Sequence, residues 1–310
     1  ATYHVPVLTQ SVVDTLIEGP EGPLVDGTLG GGGHTFALLQ AAEGKRDVIG
    51  IDRDPEAIAV NQKRFAHEKR VQLVRGNFCE MDAAVREVGI HEDHHVAGIL
   101  LDLGVSSWQL DSADRGFGFK HESAPLDMRM DPEGGQSAAD WLANVKEAEL
   151  ARVLKELGEE RFARRIARAI VNARQEGPIQ RTAHLAEIIS AANPKWEPNK
   201  HPATRSFQAI RLHINSELES LQDALSAALS VLAKGGRLVV ISFHSLEDRI
   251  VKRFIRNASR GRQLPPGVPI SFEEQQVSLK PIGKAVMPSP TEVAANPRAR
   301  SAVMRIAERI

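Results

Sequence analysis

Short apolar stretches alternate with amphipathic ones along the first hundred residues. The apolar stretches predict four strands, PLVDGTLG, DVIGIDRD, VQLVRGNF and VAGILLDLGV. Between them, HTFALLQAAE, PEAIAVNQKRF and MDAAVREVG have the composition and spacing of helices. The fourth strand is apolar almost throughout, which is typical of a strand buried on both faces. This alternation predicts a parallel sheet with helices on both sides.

The alternation stops after the fourth strand and resumes in the last third of the chain. Between about residue 114 and about residue 205 the pattern predicts helices alone, separated by segments rich in Gly, Pro and Asn. There follow a long helix, a fifth strand (RLVVISFH), another helix, loops over 261–300 and a closing edge strand (ARSAVMRIAER). We therefore expect an α/β domain over residues 1–113 and 206–310, with an inserted all-helical domain over residues 114–205.

The composition is ordinary for a globular protein, with 42% hydrophobic and 25% charged residues. No apolar run reaches the roughly 20 residues of a membrane span. The opening ATYHVPVLTQ has neither the basic nor the apolar region of a secretory signal. Cys79 is the single cysteine, so no internal disulfide can form. We therefore expect a cytoplasmic protein without a membrane partner.

Charge is balanced overall, at −1, but basic residues cluster in two segments. Six arginines lie between Arg161 and Arg181 against one acid, and six arginines and a lysine lie between residues 237 and 262 against two acids. Local basic faces on a neutral protein indicate a partner with phosphates. The alternative is a pair of solvated helices.

A run of four glycines, Gly30–Gly33, follows the first strand. Glycine loses the most conformational entropy on folding, so such a run indicates a turn where another group approaches the backbone closely. The first four strands end in Asp26, Asp52, Asn77 and Asp102. Since ligands of open parallel sheets bind at the carboxyl ends of the strands, these polar residues predict a pocket. Asp52 stands where an acid accepts hydrogen bonds from ribose hydroxyls.

Two ligands fit this arrangement, a nicotinamide dinucleotide and S-adenosyl-L-methionine. The turn lacks the G-x-G-x-x-G pattern, and the carboxylate of Asp26 would repel a pyrophosphate. That carboxylate suits the ammonium and sulfonium of S-adenosyl-L-methionine. Asn77 and Phe78 offer an amide and a ring for an adenine. The residues therefore favour S-adenosyl-L-methionine as cofactor.

Several longer motifs resemble one known family. They are DGTLGGGGH, GIDRDPEAI, LLDLGVSSWQLD, HPATRSFQAIRLHINSELE, GGRLVVISFHSLEDRIVK and NPRARSAVMRIAE. Over nearly the whole chain they are similar to the bacterial 16S rRNA (cytosine-N4)-methyltransferases, the RsmH family, formerly called MraW. The resemblance implies a class I S-adenosylmethionine-dependent methyltransferase fold, Rossmann-like, with an inserted helical domain for substrate recognition. It implies methylation of the exocyclic N4 of a decoding-centre cytidine, position 1402, in 16S rRNA.

The resemblance also implies a set of cofactor contacts. They fall on Gly32, Gly33, His34, Asp52, Phe78, Asp102 and Gln109. Whether free rRNA or the small ribosomal subunit is the substrate, and whether the chain forms a homodimer, stay open at this point.

Methyl transfer to a cytosine amino group needs an acceptor for the amino proton. Asp102 and the turn after it stand where amino-methyltransferases carry a D/N-P-P-aromatic motif, although this chain lacks the prolines and the aromatic residue. Asp102, Ser106 and Ser107 are therefore candidate catalytic residues, and Asp102 could serve either the cofactor or the amine. His244, at the end of the fifth strand, is a further candidate on the substrate side, against a purely structural role.

Other features of the sequence admit other interpretations. A DNA amino-methyltransferase and a non-catalytic RNA-assembly protein are the alternatives to an rRNA methyltransferase. Cys79 follows the third strand, so we expect a packing role and not that of a C5-methyltransferase nucleophile. HEDHH, residues 91–95, has ligand-type residues but no zinc spacing, so no metal is expected. Trp108, Phe117 and Phe119 are candidate stacking surfaces, with core packing as the equal alternative.

Overall fold

A computed structural model describes residues 6–90, 95–119, 121–195, 201–261 and 276–310. The chain divides into two compact units, one formed by Ala1–Gly104 with Leu218–Ile310 and the other by Val105–Glu217. We call them the sheet unit and the helical unit. The helical unit begins before residue 114 and ends after residue 205, so it is larger than the insertion that the sequence pattern predicts.

The sheet unit is built on seven strands within the described residues. They are β1 Leu24–Asp26, β2 Val48–Asp52, β3 Val71–Arg75, β4 Val96–Asp102, β5 Leu232–Ser242, β6 Leu279–Pro281 and β7 Val303–Arg309. Their spatial order is β3-β2-β1-β4-β5-β7-β6. Strands β1 to β5 run parallel, whereas β7 pairs antiparallel with both β5 and β6. This mostly parallel sheet with helices confirms the predicted Rossmann-like fold class.

The closing strand differs from its predicted position. It was expected at the edge of the sheet, but β7 lies between β5 and β6. Strand β6 falls in the 261–300 segment that was predicted to be rich in proline and loops. Its three residues, Leu279–Pro281, are too few to give an alternating pattern, and a proline is tolerated there because β6 is an edge strand.

Thirteen helices are described along the chain. They are α1 Thr9–Ile17, α2 Gly33–Ala41, α3 Pro55–Arg64, α4 Met81–Glu87, α5 Ser107–Asp111, α6 Ala138–Asn144, α7 Glu147–Gly158, α8 Ala163–Glu176, α9 Thr182–Ala192, α10 Thr204–Ile214, α11 Glu217–Val231, α12 Ser245–Arg260 and α13 Pro290–Ala295. Helices α5 to α10 belong to the helical unit. None of these described helices is both long enough and apolar enough to cross a bilayer.

Successive strand residues enter two separate cores in the sheet unit. Leu24 and Leu100 pack in one core with residues of α1 and α2, whereas Val25 and Leu101 pack in the other with residues of α4, α11 and α12. Side chains alternate across a sheet, so a strand that is apolar at every position must be covered on both faces. The layers leave the carboxyl ends of β1 to β5 as the edge where polar side chains collect.

The helical unit has a core of its own. The buried residues of α8, Ala163, Ile166, Ala167 and Ile170, follow the three-and-four spacing of a single helix face. Helix α10 contributes Phe207, Ala209 and Ile210 to the same core. This packing is the reason that the compact unit extends beyond residue 205.

Candidate active site at the carboxyl edge of the sheet

The glycine turn connects β1 to α2, and its glycines have different reasons to be glycine. Gly30 and Gly32 have φ angles of 48° and 73°, in the left-handed region that side chains disfavour. A Cβ on Gly33 would lie 3.0 Å from the Pro6 ring, whereas one on Gly31 would meet nothing within 4 Å. Three of the four glycines are therefore required by backbone conformation or by close packing, and Gly31 is not.

The amides at the start of α2 are available to a ligand. Gly32 precedes the helix and provides no side chain to cap it. The first N–H groups of an α-helix have no partner within the helix, and they carry partial positive charge. The backbone of Gly33 and His34 can therefore donate hydrogen bonds to an acceptor at this edge.

Asp26 ends β1 and has no exposed surface. Its Oδ2 accepts a hydrogen bond of 2.7 Å from the Thr35 hydroxyl, and its Oδ1 accepts one of 3.3 Å from the Thr28 N–H. Burial raises the pKa of Asp26, while the nearby His34 and these hydrogen bonds lower it by less. The carboxyl group organises the turn from inside, and direct contact of Asp26 with a cofactor stays a prediction.

Asp52 ends β2 and is only partly exposed. Its Oδ2 accepts a 2.8 Å hydrogen bond from the Gly30 N–H, and its Oδ1 accepts a 2.9 Å bond from the Asp54 N–H. Burial raises its pKa to about 6, although both hydrogen bonds oppose the shift. A carboxylate oxygen has two acceptor sites, so each oxygen keeps one for a hydroxyl of a bound sugar.

Helix α3 holds the outside of the glycine turn through two residues that the sequence analysis did not identify. Asn61 is fully buried, and its Nδ2 donates to the carbonyls of Gly30 and Ala57, both at 2.8 Å. One turn later, Arg64 Nη1 donates to the Gly31 carbonyl at 2.5 Å, and its guanidinium lies 5.0 Å from the centre of the exposed Phe36 ring. The sequence does not show that Asn61 is buried, and its partner Gly30 is 31 residues away, so no local pattern identifies the contact.

The residues after β3 divide into structural and accessible ones. The Asn77 amide accepts from the Cys79 N–H at 3.4 Å and donates to the Ser220 hydroxyl at 3.2 Å, so it is occupied within the protein. Phe78 is half-buried and packs against the apolar core. Burial raises the pKa of the Cys79 thiol, and the charges of Glu80 and Asp223 add to the shift. A thiol with a raised pKa is a poor nucleophile, which agrees with a packing role.

His34 and Asp102 meet beside the turn. His34 Nε2 lies 3.3 Å from Asp102 Oδ2, and the two side chains are 5% and 23% exposed. Burial lowers the pKa of His34, but the Asp102 and Asp26 carboxylates raise it by more, so its pKa lies above the ordinary value. Within the described residues, Asp102 Oδ1 and His34 Nδ1 are buried without a hydrogen-bond partner. The pair therefore keeps unsatisfied polar atoms at the centre of the edge.

A second histidine–carboxylate pair follows β5. His244 Nε2 lies 3.0 Å from Glu247 Oε1, and Glu247 Oε2 accepts a 2.8 Å hydrogen bond from the Phe243 N–H. Glu247 is 2% exposed, and the sequence analysis did not identify it. Since Asp102 pairs with Ile241 of β5, His244 belongs to the strand end next to that of β4.

The remaining predicted residues lie at the start of α5, in the helical unit. Ser106 caps this helix: its Oγ accepts from the Gln109 N–H at 3.2 Å, and Gln109 Oε1 accepts from the Ser106 N–H at 2.9 Å. Gln109 is buried and Ser107 is the first residue of the helix. Their cofactor and catalytic roles stay predictions, and the capping box is the role that their contacts show.

The candidate aromatic surfaces and the candidate metal ligands complete the predicted residues. Trp108 is 59% exposed, Phe117 belongs to the helical core, and Phe119 packs against His201 and Phe207. Residues 91–94 of the HEDHH segment lie outside the described residues. In the part of the chain that is described, no three His, Cys, Asp or Glu side chains are grouped to hold a metal ion.

Comparison with known proteins places this edge in context. A family model described as the MraW methylase family matches residues 1–310. The chain belongs to the MraW methylase family. The glycine turn, Asp52, Phe78 and the His34–Asp102 pair thus stand at the carboxyl edge of a methylase sheet, and the resemblance noted in the sequence is confirmed.

Individual relatives of this MraW-family chain are similar over more than nine-tenths of their lengths. Three are named Ribosomal RNA small subunit methyltransferase H. The one from Chromohalobacter salexigens is 53% identical over 99% of this chain and 92% of its own length. Those from Nitrosococcus oceani and Pseudoalteromonas atlantica are 51% and 52% identical, over 99% of this chain and 96% and 98% of their own lengths. A solved rRNA methylase from Streptococcus thermophilus matches at 12% identity and a TM-score of 0.44 over 100% of this chain and 99% of its own, which is too distant to support an argument.

Proposed function

We propose that this chain transfers a methyl group from S-adenosyl-L-methionine to the exocyclic N4 of a cytidine in 16S rRNA, within the decoding centre. Relatives about half identical over more than nine-tenths of their lengths are named small-subunit rRNA methyltransferases. The observation that carries the proposal is the edge formed by the glycine turn, Asp52, Phe78 and the His34–Asp102 pair. Neither a DNA substrate nor a non-catalytic role finds support in these relatives.

The residues present fit this cofactor. The unpartnered Asp102 Oδ1 suits the ammonium group of its amino-acid part, and the free acceptor sites of Asp52 suit its ribose hydroxyls. The N–H groups of Gly33 and His34 supply donors at a helix N-terminus, whereas the Gly32 N–H donates to the Leu29 carbonyl at 2.7 Å and Gly32 allows close approach instead. The Phe78 ring offers an apolar surface to the adenine. When bound, S-adenosyl-L-methionine supplies an electrophilic methyl group carried on a sulfonium.

The protein's task is to orient the cytosine amine and to accept its proton. The lone pair of that amine is drawn into the ring, so productive alignment supplies much of the acceleration. Asp102 and His244 belong to adjacent strand ends, and His244 Nε2 lies 3.0 Å from the Glu247 carboxylate. We assign proton acceptance to one of these two side chains, with Ser106 and Ser107 as further candidates on α5.

The substrate surroundings follow from the same family. Small ribosomal subunits, in the cytoplasm, are the proposed setting of the reaction, and the helical unit is the proposed substrate-recognition domain. Homodimer formation would be compatible with either substrate form and is tested by the mass of the protein in solution.

Methyl-labelled S-adenosyl-L-methionine separates the possible substrates. The protein is incubated with stripped 16S rRNA, with intact small subunits, or with DNA, and the labelled nucleosides are identified by mass. We expect N4-methylated cytidine in rRNA or small subunits. Label in DNA alone, or on another atom of the nucleoside, would reject the proposal.

Substitutions at the two strand ends separate cofactor binding from proton transfer. Asp102→Ala and His244→Ala are compared for cofactor Kd and for single-turnover rate. Loss of rate with an unchanged Kd identifies the proton acceptor. If Asp102→Ala raises Kd about tenfold or more while His244→Ala lowers only the rate, Asp102 serves the cofactor and His244 the amine.

A further inference from the structure

Helix α12 carries its basic residues along one face. Lys252, Arg253, Arg256 and Arg260 are all exposed. At 3.6 residues per turn they lie within an arc of roughly 100° around the helix axis. The buried residues Glu247, Val251 and Ile255 lie on the other side of the helix. We call these four cations the α12 basic face.

The two acids of this helix, Glu247 and Asp248, contact residues outside the α12 basic face. Glu247 binds His244 and the Phe243 N–H, and Asp248 forms two hydrogen bonds, of 2.6 and 3.0 Å, with Arg305 of β7. Among the described residues, none of the four cations forms an ion pair. Like charges three or four positions apart destabilise a helix by roughly 0.2–0.5 kcal/mol per pair. Helix stability therefore does not explain this face.

The position of α12 relates this face to the candidate site. The helix begins directly after His244, at the end of β5, and its 16 residues extend about 24 Å. That length covers several phosphate spacings of a nucleic-acid strand, each about 3.4 Å along the axis of a duplex. Cations along it can contact the backbone of an RNA whose target base is at the sheet edge.

The competing basic face, on α8, is partly neutralised. Arg164 and Arg165 are exposed, but Arg168 lies 3.5 Å from Glu147 of α7. The Arg161 guanidinium lies 5.5 Å from the Phe162 ring. Two nearby acids do not add to this neutralisation, since Glu156 pairs with Arg152 and Glu160 accepts from the Phe162 N–H.

We propose that the α12 basic face is a docking surface for the phosphates of the rRNA substrate. The proposal rests on the proposed function, because it supplies the affinity for the RNA whose cytidine is methylated. Phosphate contacts carry no sequence information and position the nucleic acid. The overall charge of −1 leaves the rest of the protein without a general attraction for RNA, so a local face is needed.

The test removes this charge and measures binding of a 16S rRNA transcript that contains the target cytidine. The variant Lys252→Gln/Arg253→Gln/Arg256→Gln should bind the transcript at least tenfold more weakly near 100 mM salt. The slope of log Kd against log salt should decrease by about 2, at roughly 0.7 per phosphate contact in a single strand. In methylation, KM for RNA should rise while kcat changes little.

Three matched variants define the outcome. Arg253→Lys/Arg256→Lys keeps the charge and should bind like the wild type. Lys45→Gln/Lys69→Gln/Lys155→Gln removes the same charge from exposed positions elsewhere, and should retain affinity within about twofold. Arg161→Gln/Arg164→Gln/Arg165→Gln tests α8. All variants are first checked for wild-type cofactor affinity, which shows that the sheet unit is folded.

Two results would overturn the docking surface. One is a wild-type RNA affinity for the α12 triple variant, and the other is an equal loss of affinity in the Lys45/Lys69/Lys155 control. Failure of the proposed function is seen separately, as absence of N4-methylcytidine from wild-type reactions.

Discussion

Burial sets the protonation of the acids and the histidine at the edge of the sheet. The pKa of Asp52 is raised to about 6 by burial, although its two oxygens accept backbone hydrogen bonds. His34 has the opposite balance, because Asp102 and Asp26 overcome the effect of burial and raise its pKa. Mild acidification therefore protonates Asp52, whereas the raised pKa of His34 favours its protonated form.

Cofactor affinity should decrease as the pH falls through 6. The ionised Asp52 carboxylate is the form that accepts from ribose hydroxyls, and at pH 5 about one molecule in ten keeps it ionised in the free protein. The apparent Kd for S-adenosyl-L-methionine should therefore be about tenfold higher at pH 5 than at pH 7. Isothermal titration calorimetry over pH 5–7.5 measures this change.

Asp52→Asn isolates that residue from His34. The amide cannot ionise, so the variant should bind more weakly at pH 7 and lose most of the pH dependence below 6.5. The raised pKa means that folding takes up a proton at Asp52 between about pH 4 and 6. Its contribution to the free energy of unfolding is therefore larger at pH 4 than at pH 7. If the cofactor Kd of Asp52→Asn depends on pH as that of the wild type does, Asp52 is excluded as the titrating group.

The four glycines should respond unequally to alanine. Gly32→Ala places a Cβ at φ 73° against Asn61, so it should lower the free energy of unfolding by about 1–2 kcal/mol or more and weaken cofactor binding. In Gly31→Ala the added Cβ would point into open space. Alanine has less conformational freedom than glycine in the unfolded chain, so the substitution should be neutral or stabilise the fold by up to about 1 kcal/mol. Urea denaturation of both variants measures their free energies of unfolding. An equal decrease in the two variants would contradict the structure.

At the level of elements, the contact between α3 and the glycine turn fixes the shape of the turn. Asp54 caps α3 by accepting from the Glu56 N–H at 3.0 Å, and Pro55 occupies its first position. The position of the α3 N-terminus determines where Asn61 and Arg64 lie along the helix. These two side chains donate to the carbonyls of the neighbouring glycines Gly30 and Gly31. The Gly30 N–H is held by Asp52 and the Gly32 N–H by the Leu29 carbonyl, so the turn is fixed from both sides.

Loss of the Asn61 donor should therefore weaken cofactor binding without removing a cofactor contact. Asn61→Asp replaces the donor by acceptor oxygens facing two carbonyls, and it should raise the cofactor Kd about tenfold or more, since a buried unmatched acceptor costs about 1–3 kcal/mol. Arg64→Gln, at a partly exposed position, should have a smaller effect. Hydrogen exchange of residues 28–34 should increase in both variants.

A control on the same helix is Gln62→Ala, because Gln62 is exposed. It should bind the cofactor as the wild type does. If Asn61→Asp retains wild-type Kd and wild-type exchange in the turn, the contact from α3 has no positioning role.

For the whole molecule, periodicity was sufficient for the layered architecture. The near-continuous apolar strands predicted a sheet covered on both sides, and the two cores receive alternate residues of β1 and β4. Periodicity could not place β7 between β5 and β6, because strand order depends on pairing between residues distant in the chain. It also missed α10 as part of the helical unit, since a helix looks the same in sequence whichever core it joins.

The order of residues along the chain directly gives the acids at three strand ends, Asp26, Asp52 and Asp102, the Phe78 ring shortly after β3, and the glycines between β1 and α2. Local rules suffice there, because a strand end and a tight turn each involve only a few consecutive residues. The pairing of His34 with Asp102, of Glu247 with His244, and of Asn61 with Gly30 arises only when separate elements pack together. Burial then changes the pKa values and leaves particular atoms unpartnered, and those properties depend on three-dimensional surroundings that no local pattern contains.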